Sequence, residues 1–230
     1  MVARFVSLLL LRHGQSEWNA VRRWQGLADS PLNDLGRRQA ADASAALAAT
    51  RRRFESVWSS PLVRAAETGD IIARRLGLGA VRVDDRLRET DAGEWEGMTP
   101  DEIDVAYPGF LTDHRRPPTF ERVDQVVERT TAALADIAAR STTADTTVIV
   151  TTHSGVIRTL VRHLGHHDER VPNLGGVWVS VDTSVTDVTA RFDLRRRFDP
   201  SGVARTGVDA PGEDPGEQTD QSEAHRGTER

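Results

Sequence analysis

Val6-Ser7-Leu8-Leu9-Leu10-Leu11-Arg12-His13-Gly14-Gln15-Ser16-Glu17-Trp18-Asn19 is an apolar run that stops abruptly in an arginine, a histidine and a glycine. A run this short, bounded by polar residues, reads as a strand buried on both faces. Its end delivers Arg12 and His13 into a loop where Gly14 lets the backbone bend. Ligands in open α/β sheets bind beyond the carboxyl ends of the strands, so the basic pair sits where chemistry is expected.

The rest of the chain supplies layers for such a strand. Ser16 to Ser30 reads as a long polar loop rich in tryptophan and arginine. Asn33 is an N-cap for an alanine-rich helix through Gly36, Ala40 and Leu47. Val57-Trp58 is a second strand. Ser59-Ser60-Pro61 then predicts a cap and first-turn proline for a helix from Leu62 to Leu76, closed by Gly77. Val81 to Val83 is a third strand, followed by Arg86-Leu87-Arg88-Glu89. Thr99-Pro100-Asp101-Glu102 is a capping box, and the helix it opens breaks at Pro108-Gly109. Apolar spacing predicts an amphipathic helix from about Glu121 to Arg140. Thr147 to Thr152 is a β-branched strand, with His153-Ser154-Gly155 at its end and a helix from about Val156 to Leu164. Gly176 to Val181 and Val185 to Phe192 predict a closing hairpin. Strands alternating with helices give an α/β three-layer sandwich, a mostly parallel central sheet with helices on both faces. Residues 1–199 form one domain. Residues 200–230 are polar and Gly/Pro-rich, and read as a disordered tail.

Composition narrows the chemistry. The net charge of −5 disfavours a general nucleic-acid binder. There is no cysteine, hence no disulfide framework and no thiolate nucleophile. All 30 basic residues are arginine, which excludes Schiff-base lysine chemistry and a P-loop lysine. A phosphate or carboxylate must therefore be held by arginine, whose planar fork suits bidentate contacts. No run approaches the roughly 20 apolar residues of a membrane span, and the opening run lacks a signal-peptide cleavage site. A soluble cytoplasmic protein is the expectation, with no membrane or nucleic-acid partner. The sequence is compatible with a homodimer and does not fix the oligomeric state.

The second strand-end histidine changes the meaning of the first. Arg12-His13-Gly14 and His153-Ser154-Gly155 share one layout: a buried strand, a basic residue, then glycine. Arg64 falls in the first turn of a helix, where the dipole disfavours a cation unless an anion sits between. Glu89 follows the third strand. Converging on one edge of a sheet, these residues suit a tetrahedral dianion, with one carboxyl left for proton transfer. That fits phosphoryl transfer, in which a neutral histidine can serve as nucleophile and arginines stabilise the charge.

Leu10-Leu11-Arg12-His13-Gly14-Gln15-Ser16-Glu17-Trp18-Asn19, Ser59-Ser60-Pro61-Leu62-Val63-Arg64-Ala65-Ala66-Glu67-Thr68, Arg86-Leu87-Arg88-Glu89 through Gly97, and Val150-Thr151-Thr152-His153-Ser154-Gly155-Val156-Ile157-Arg158 resemble the four signature blocks of the histidine phosphatase superfamily, in its phosphoglycerate mutase-like branch. The resemblance runs from about residue 5 to 195. It implies that His13 is the nucleophile, that Arg12, Arg64 and His153 complete the phosphate pocket, and that Glu89 is the proton donor. It also implies that Asn19, Gln25, Gly26 and Ser154 touch phosphate or substrate. Neither a metal nor a cofactor is implied, and the partner is a small-molecule phosphate ester.

Glu89-Thr90-Asp91-Ala92-Gly93-Glu94-Trp95-Glu96-Gly97 lacks the arginine and tyrosine that follow the acid in the family's mutases. It has instead the G-x-W-x-G form of the phosphatases, so phosphomonoester hydrolysis is expected. A phosphoglycerate mutase and a non-catalytic phosphate-binding protein are the rivals. Two departures concern the substrate side: Pro118-Thr119-Phe120-Glu121-Arg122 stands in place of a G-G-E-S segment and keeps only its glutamate, and Ser154 stands where relatives often carry glycine. Leu174-Gly175-Gly176 resembles the matching stretch of sugar-phosphoglycerate phosphatases. His163, His166 and His167 read as helix-end residues rather than a metal tract, and Arg195-Arg196-Arg197 as a solvated charge run. Trp18, Trp24 and Trp95 either line the mouth of the site or cover the sheet edge.

Overall fold

In a computed structural model of the chain, which describes residues 5–50, 52–141, 146–167, 169–185 and 192–199, the four leucines lie in the middle of a central strand. This strand, β1 (Phe5–Arg12), pairs in parallel with β4 (Thr146–Thr152) on one side and antiparallel with β5 (Gly176–Asp182) on the other. Beyond β4 lie β2 (Arg53–Ser59) and β3 (Arg82–Val83), both parallel to it; beyond β5 lies β6 (Phe192–Phe198), antiparallel. The six-stranded order is β3-β2-β4-β1-β5-β6.

Alternation along β1 explains why all four leucines are apolar. Leu8 and Leu10 pack on one face against Ala133, Leu134 and Ile137 of α5 (Val123–Arg140) and Ile157 and Leu160 of α6 (Ser154–His163). Leu9 and Leu11 pack on the other against Ala43 and Leu47 of α2 (Asp34–Ala49) and Ile72 of α3 (Val63–Arg75). The fold is the three-layer α/β sandwich. Two short helices, α1 (Glu17–Ala20) and α4 (Pro100–Ala106), lie in the long connections. Ala92, Trp95 and Ile103 make a third cluster with Trp24, Tyr107 and Phe120, a small apolar cap apart from the two sheet faces.

Several boundaries differ from the sequence reading. Helix α3 begins at Val63, with Leu62 at its N-cap and no cap bond from its own segment. The Val63 amide instead donates to Asp29 Oδ1 at 2.6 Å, a partner 34 residues away that no local rule reveals. Pro61 therefore precedes the helix. Helix α5 begins at Val123 and α6 at Ser154, which makes His153 an N-cap residue. The expected polar loop from Ser16 contains α1, closed by a capping box between Ser16 and Asn19. The last strand runs over Phe192–Phe198, later than expected; Val185 is not in a strand, and the expected stretch from 186 to 191 lies outside the described residues, as does the tail from 200. Arg195-Arg196-Arg197 is thus part of an edge strand, and Arg197 pairs with Glu169 at 3.3 Å and donates to the His167 carbonyl at 2.8 Å.

Candidate active site

The two histidines meet because β1 and β4 are parallel neighbours. Arg12 is paired in register with Thr152, and each chain leaves the sheet one residue later. The His13 amide donates to the Thr152 carbonyl at 3.0 Å, and the two imidazole centroids stand 5.2 Å apart, edge to face. His13 Nδ1 lies 2.6 Å from the Gly14 carbonyl. A carbonyl only accepts, so Nδ1 carries the proton and Nε2 keeps its lone pair. Burial, then the charges of Arg64 and Arg12, hold this imidazole well below its ordinary pKa, against the Gly14 bond. His13 is therefore neutral at neutral pH, with Nε2 as its basic atom. Its main chain is pinned on both sides: Asn173 Nδ2 donates to the His13 carbonyl at 3.0 Å, and the Gly14 amide donates to Thr68 Oγ1 at 3.1 Å.

His153 is fully buried, and its Nε2 lies 2.8 Å from Ser60 Oγ. Burial leads, followed by Arg64, His13, Arg129 and Arg12, in pushing its pKa well below the ordinary value. Arg64 is likewise fully buried, because its guanidinium turns away from its helix: Nη1 donates to the Ala28 carbonyl at 2.6 Å and Nη2 to that of Gly26 at 2.9 Å. Burial pulls its pKa down to about 10, with the charges of Glu89 and Asp29 opposing, so it stays cationic at neutral pH. Arg12 Nη1 donates to the Val171 carbonyl at 2.8 Å. Among the described residues, Arg64 Nε, His153 Nδ1 and Ser154 Oγ are buried polar atoms with no hydrogen-bond partner. Buried groups of this kind are rare unless a ligand or water is to meet them. The first-turn amides of α6 add partial positive charge beside them.

Glu89 enters from the other side. Its Oε1 accepts from the Thr90 amide at 2.8 Å and its Oε2 from the Gly155 amide at 3.2 Å, in the first turn of α6. Gly155 is required for this approach: a Cβ there would lie 2.5 Å from Glu89 Oε1. The segment carrying Glu89 is held by Arg129 of α5. Arg129 Nη1 donates to the Arg86 and Arg88 carbonyls, both at 2.7 Å, and Nη2 to the Glu89 carbonyl at 3.1 Å. The same guanidinium makes a fork with Glu121, at 2.7 and 2.9 Å, and Glu121 Oε2 accepts from the Asp91 amide at 3.1 Å. The Arg129–Glu121 pair thus clasps the chain on both sides of Glu89.

A cavity of about 1030 Å³ opens over these groups, larger than orthophosphate needs. Arg12, His13, Gln25, Gly26, Glu89 and Ser154 line it, while Arg64 and His153 lie buried behind that surface. Asn19 is not brought to the wall; its amide and Oδ1 are engaged by Ser16 at the start of α1, and Ser16 Oγ donates to Gln25 Oε1 at 2.7 Å. Trp24 lines the cavity and Trp95 is sealed within the apolar cap, whereas Trp18 does neither. His166 closes the end of α6 through its amide, and His167 lines the cavity. Among the described residues no group of three or more histidine, aspartate or glutamate side chains is placed to hold a metal ion.

The histidine phosphatase superfamily (branch 1) matches residues 8–189. The chain belongs to that superfamily. A glucosyl-3-phosphoglycerate phosphatase of Mycolicibacterium vanbaalenii is 37% identical over 211 residues, covering 84% of this chain and 92% of the relative. The native structure of a mycobacterial glucosyl-3-phosphoglycerate phosphatase superposes with a TM-score of 0.70 at 30% identity, over 84% of this chain and 97% of the other. A phosphoglycerate mutase from Bacillus anthracis aligns with a TM-score of 0.71 at 22% identity over 84% of this chain and 92% of its own, a likeness of fold alone. This histidine phosphatase is a phosphoric monoester hydrolase, as Thr90 and Ala92 at the mutase positions led us to expect. Ser60, Thr68, Arg129 and Asn173 were not legible as site residues. Ser60 and its neighbours read as a helix cap, and Arg129 has the spacing of any solvated residue on an amphipathic helix. The replaced G-G-E-S segment, with its glutamate retained, was the one local hint of the clasp.

Proposed function

We propose that this histidine phosphatase hydrolyses a small phosphate monoester in two displacements through phosphohistidine at His13. The phosphate sits between Arg12, Arg64, His153 and the first turn of α6, which stabilise its charge. His13 Nε2 attacks phosphorus, the ester P–O bond breaks, and the Glu89 carboxyl gives its proton to the departing oxygen. Glu89, now a carboxylate, takes a proton from water; that water attacks phosphorus, the P–N bond breaks, and orthophosphate leaves with His13 neutral again. The observation that carries this reading is the 2.6 Å contact between His13 Nδ1 and the Gly14 carbonyl, which leaves Nε2 as the free base. The cavity has room for a sugar-sized remainder, and glucosyl-3-phosphoglycerate is the first substrate to try because two of the relatives above are named for it. We place the enzyme in the cytoplasm and leave it free to act as a monomer or a homodimer.

Rapid quench into alkali with a ³²P-labelled ester tests the mechanism. Label should appear on His13 within the first turnover, stable in base and lost in acid. His13→Asn should show neither label nor turnover. Full activity in that variant would overturn the proposal.

A further inference from the structure

His153 has one proton for two ring nitrogens, and the nitrogen that holds it decides what the ring can offer a phosphate. Burial, then the charges of Arg64, His13, Arg129 and Arg12, keep this imidazole neutral, so one nitrogen donates and the other accepts. Nε2 lies 2.8 Å from Ser60 Oγ, and Nδ1 is buried with no hydrogen-bond partner among the described residues. Ser60 is fully buried and does not line the cavity. Its main chain is held at both ends: the amide donates to the Thr151 carbonyl at 3.0 Å, and the carbonyl accepts from Ser59 Oγ at 2.8 Å. Among the described residues its hydroxyl meets the Leu62 amide, at 3.2 Å, and His153 Nε2. The amide can only donate, so Ser60 Oγ accepts there, and the hydroxyl hydrogen is left for Nε2. With Nε2 protonated instead, two donors would face the hydroxyl and its hydrogen would be buried without an acceptor. That disfavours the Nε2–H tautomer by about 5- to 150-fold.

We propose that Ser60 is a positioning residue that holds His153 as its Nδ1–H tautomer, so that the ring meets the reacting phosphoryl group as an N–H donor. This rests on the phosphatase reading above and adds a residue to its machinery. Ser60 acts through His153 and touches no reacting atom. The two imidazoles are then set by different neighbours for different tasks. On His13 the Gly14 carbonyl draws the proton to Nδ1 and frees Nε2 as a base. On His153 the Ser60 hydroxyl caps Nε2 and leaves the Nδ1 proton for a phosphoryl oxygen. The rings stand 5.2 Å apart, edge to face, close enough for one phosphoryl group to touch both. In the other tautomer His153 Nδ1 would turn a lone pair toward phosphoryl oxygens, a repulsive contact where negative charge has to be stabilised.

Long-range ¹H–¹⁵N spectra of protein labelled at its histidine nitrogens read the tautomer directly, with His153→Asn to assign the ring. The wild type should show His153 with a proton on Nδ1 and a bare Nε2. In Ser60→Ala the proton should move to Nε2 or exchange between the two. In that variant kcat/KM for 4-nitrophenyl phosphate should fall about ten- to hundredfold, the range for losing a hydrogen bond to a charged group, and inhibition by inorganic phosphate should weaken alongside. Ser60→Thr keeps a hydroxyl and should retain the Nδ1–H tautomer and recover part of the activity. If Ser60→Ala fails to fold, Ser60→Cys, a poorer donor of similar volume, takes its place in both measurements. A wild-type ring protonated at Nε2 overturns the proposal. So does an unchanged tautomer once the hydroxyl is removed, whatever the activity, and so does a shifted tautomer with unchanged kcat/KM. No turnover of the ester by the wild type would overturn the phosphatase reading instead, and the spectra would still decide the tautomer.

Discussion

Arg129→Gln separates a positioning role for the Arg129–Glu121 clasp from a purely structural one. The two side chains are 12% and 11% exposed, so the pair is close to a buried one. Burial pushes the Glu121 carboxyl up, yet the Arg129 hydrogen bonds and charge, with the Asp91 amide, hold it below the usual carboxylate range. Removing the guanidinium leaves Glu121 charged and unpaired, and leaves the carbonyls of Arg86, Arg88 and Glu89 without their donor. Breaking such a pair costs about 3–5 kcal/mol. A domain of this size has about 5–15 kcal/mol to lose, so the variant should fold at room temperature but unfold at lower urea. Because the broken bonds reach the Glu89 main chain, the proton donor should drift as well. Turnover of an alkyl phosphate, whose leaving oxygen needs a proton, should then fall more than that of 4-nitrophenyl phosphate, whose leaving group needs little help. Glu89→Gln sets the limit for the alkyl ester, a loss of about 10²–10⁴-fold. Arg129→Lys keeps the charge without the fork and should lie between. Equal losses on the two esters would make Arg129 only structural, and an unchanged urea midpoint would refute the energetic argument altogether.

Gly155→Ala should disturb chemistry without disturbing the fold, since the added Cβ meets the mobile end of Glu89 and alanine suits a helix. We expect kcat for an alkyl phosphate to fall by up to about a hundredfold with little change in Tm; normal kinetics would show that Glu89 has other room. Acid should weaken the folded state through His13 and His153. Both pKa values are lowered on folding, so the unfolded chain takes up protons first as pH falls through about 6.5. Their contribution is intact above that point and is lost below it, at up to about 1.4 kcal/mol per pH unit for each ring. Urea midpoints between about pH 6.5 and 5 should thus slope less steeply for His153→Asn than for the wild type, and equal slopes would contradict the buried neutral histidine.

Which features were legible follows from how locally they are encoded. Leu8 to Leu11 read correctly because a strand covered on both faces needs apolar residues at every position, whatever its neighbours. The convergence of His13 and His153 was legible because strand, basic residue and glycine are adjacent in the chain both times. The start of α3 was misread because its cap is Asp29, contributed by a loop remote in sequence. Arg64 read as a first-turn cation facing an anion, whereas its guanidinium also ties down the Gly26 and Ala28 carbonyls. Asn19 was assigned to the ligand, but its capping box with Ser16 is the contact the fold makes. Arg129 was invisible because the three carbonyls it gathers are defined only once the Glu89 segment has folded against α5.

The charges in the site explain one another. A neutral histidine nucleophile is needed, and the simplest way to keep an imidazole neutral is to bury it beside fixed cations, as Arg64 and Arg12 do for His13. Those cations would be costly alone. Arg64 spends its Nη hydrogens on main-chain carbonyls, which satisfies hydrogen bonding but leaves its charge unneutralised, and its pKa falls accordingly. The pocket before substrate binds therefore holds cations, an imidazole kept neutral at neutral pH, and buried polar atoms without partners. A phosphate dianion relieves all three at once.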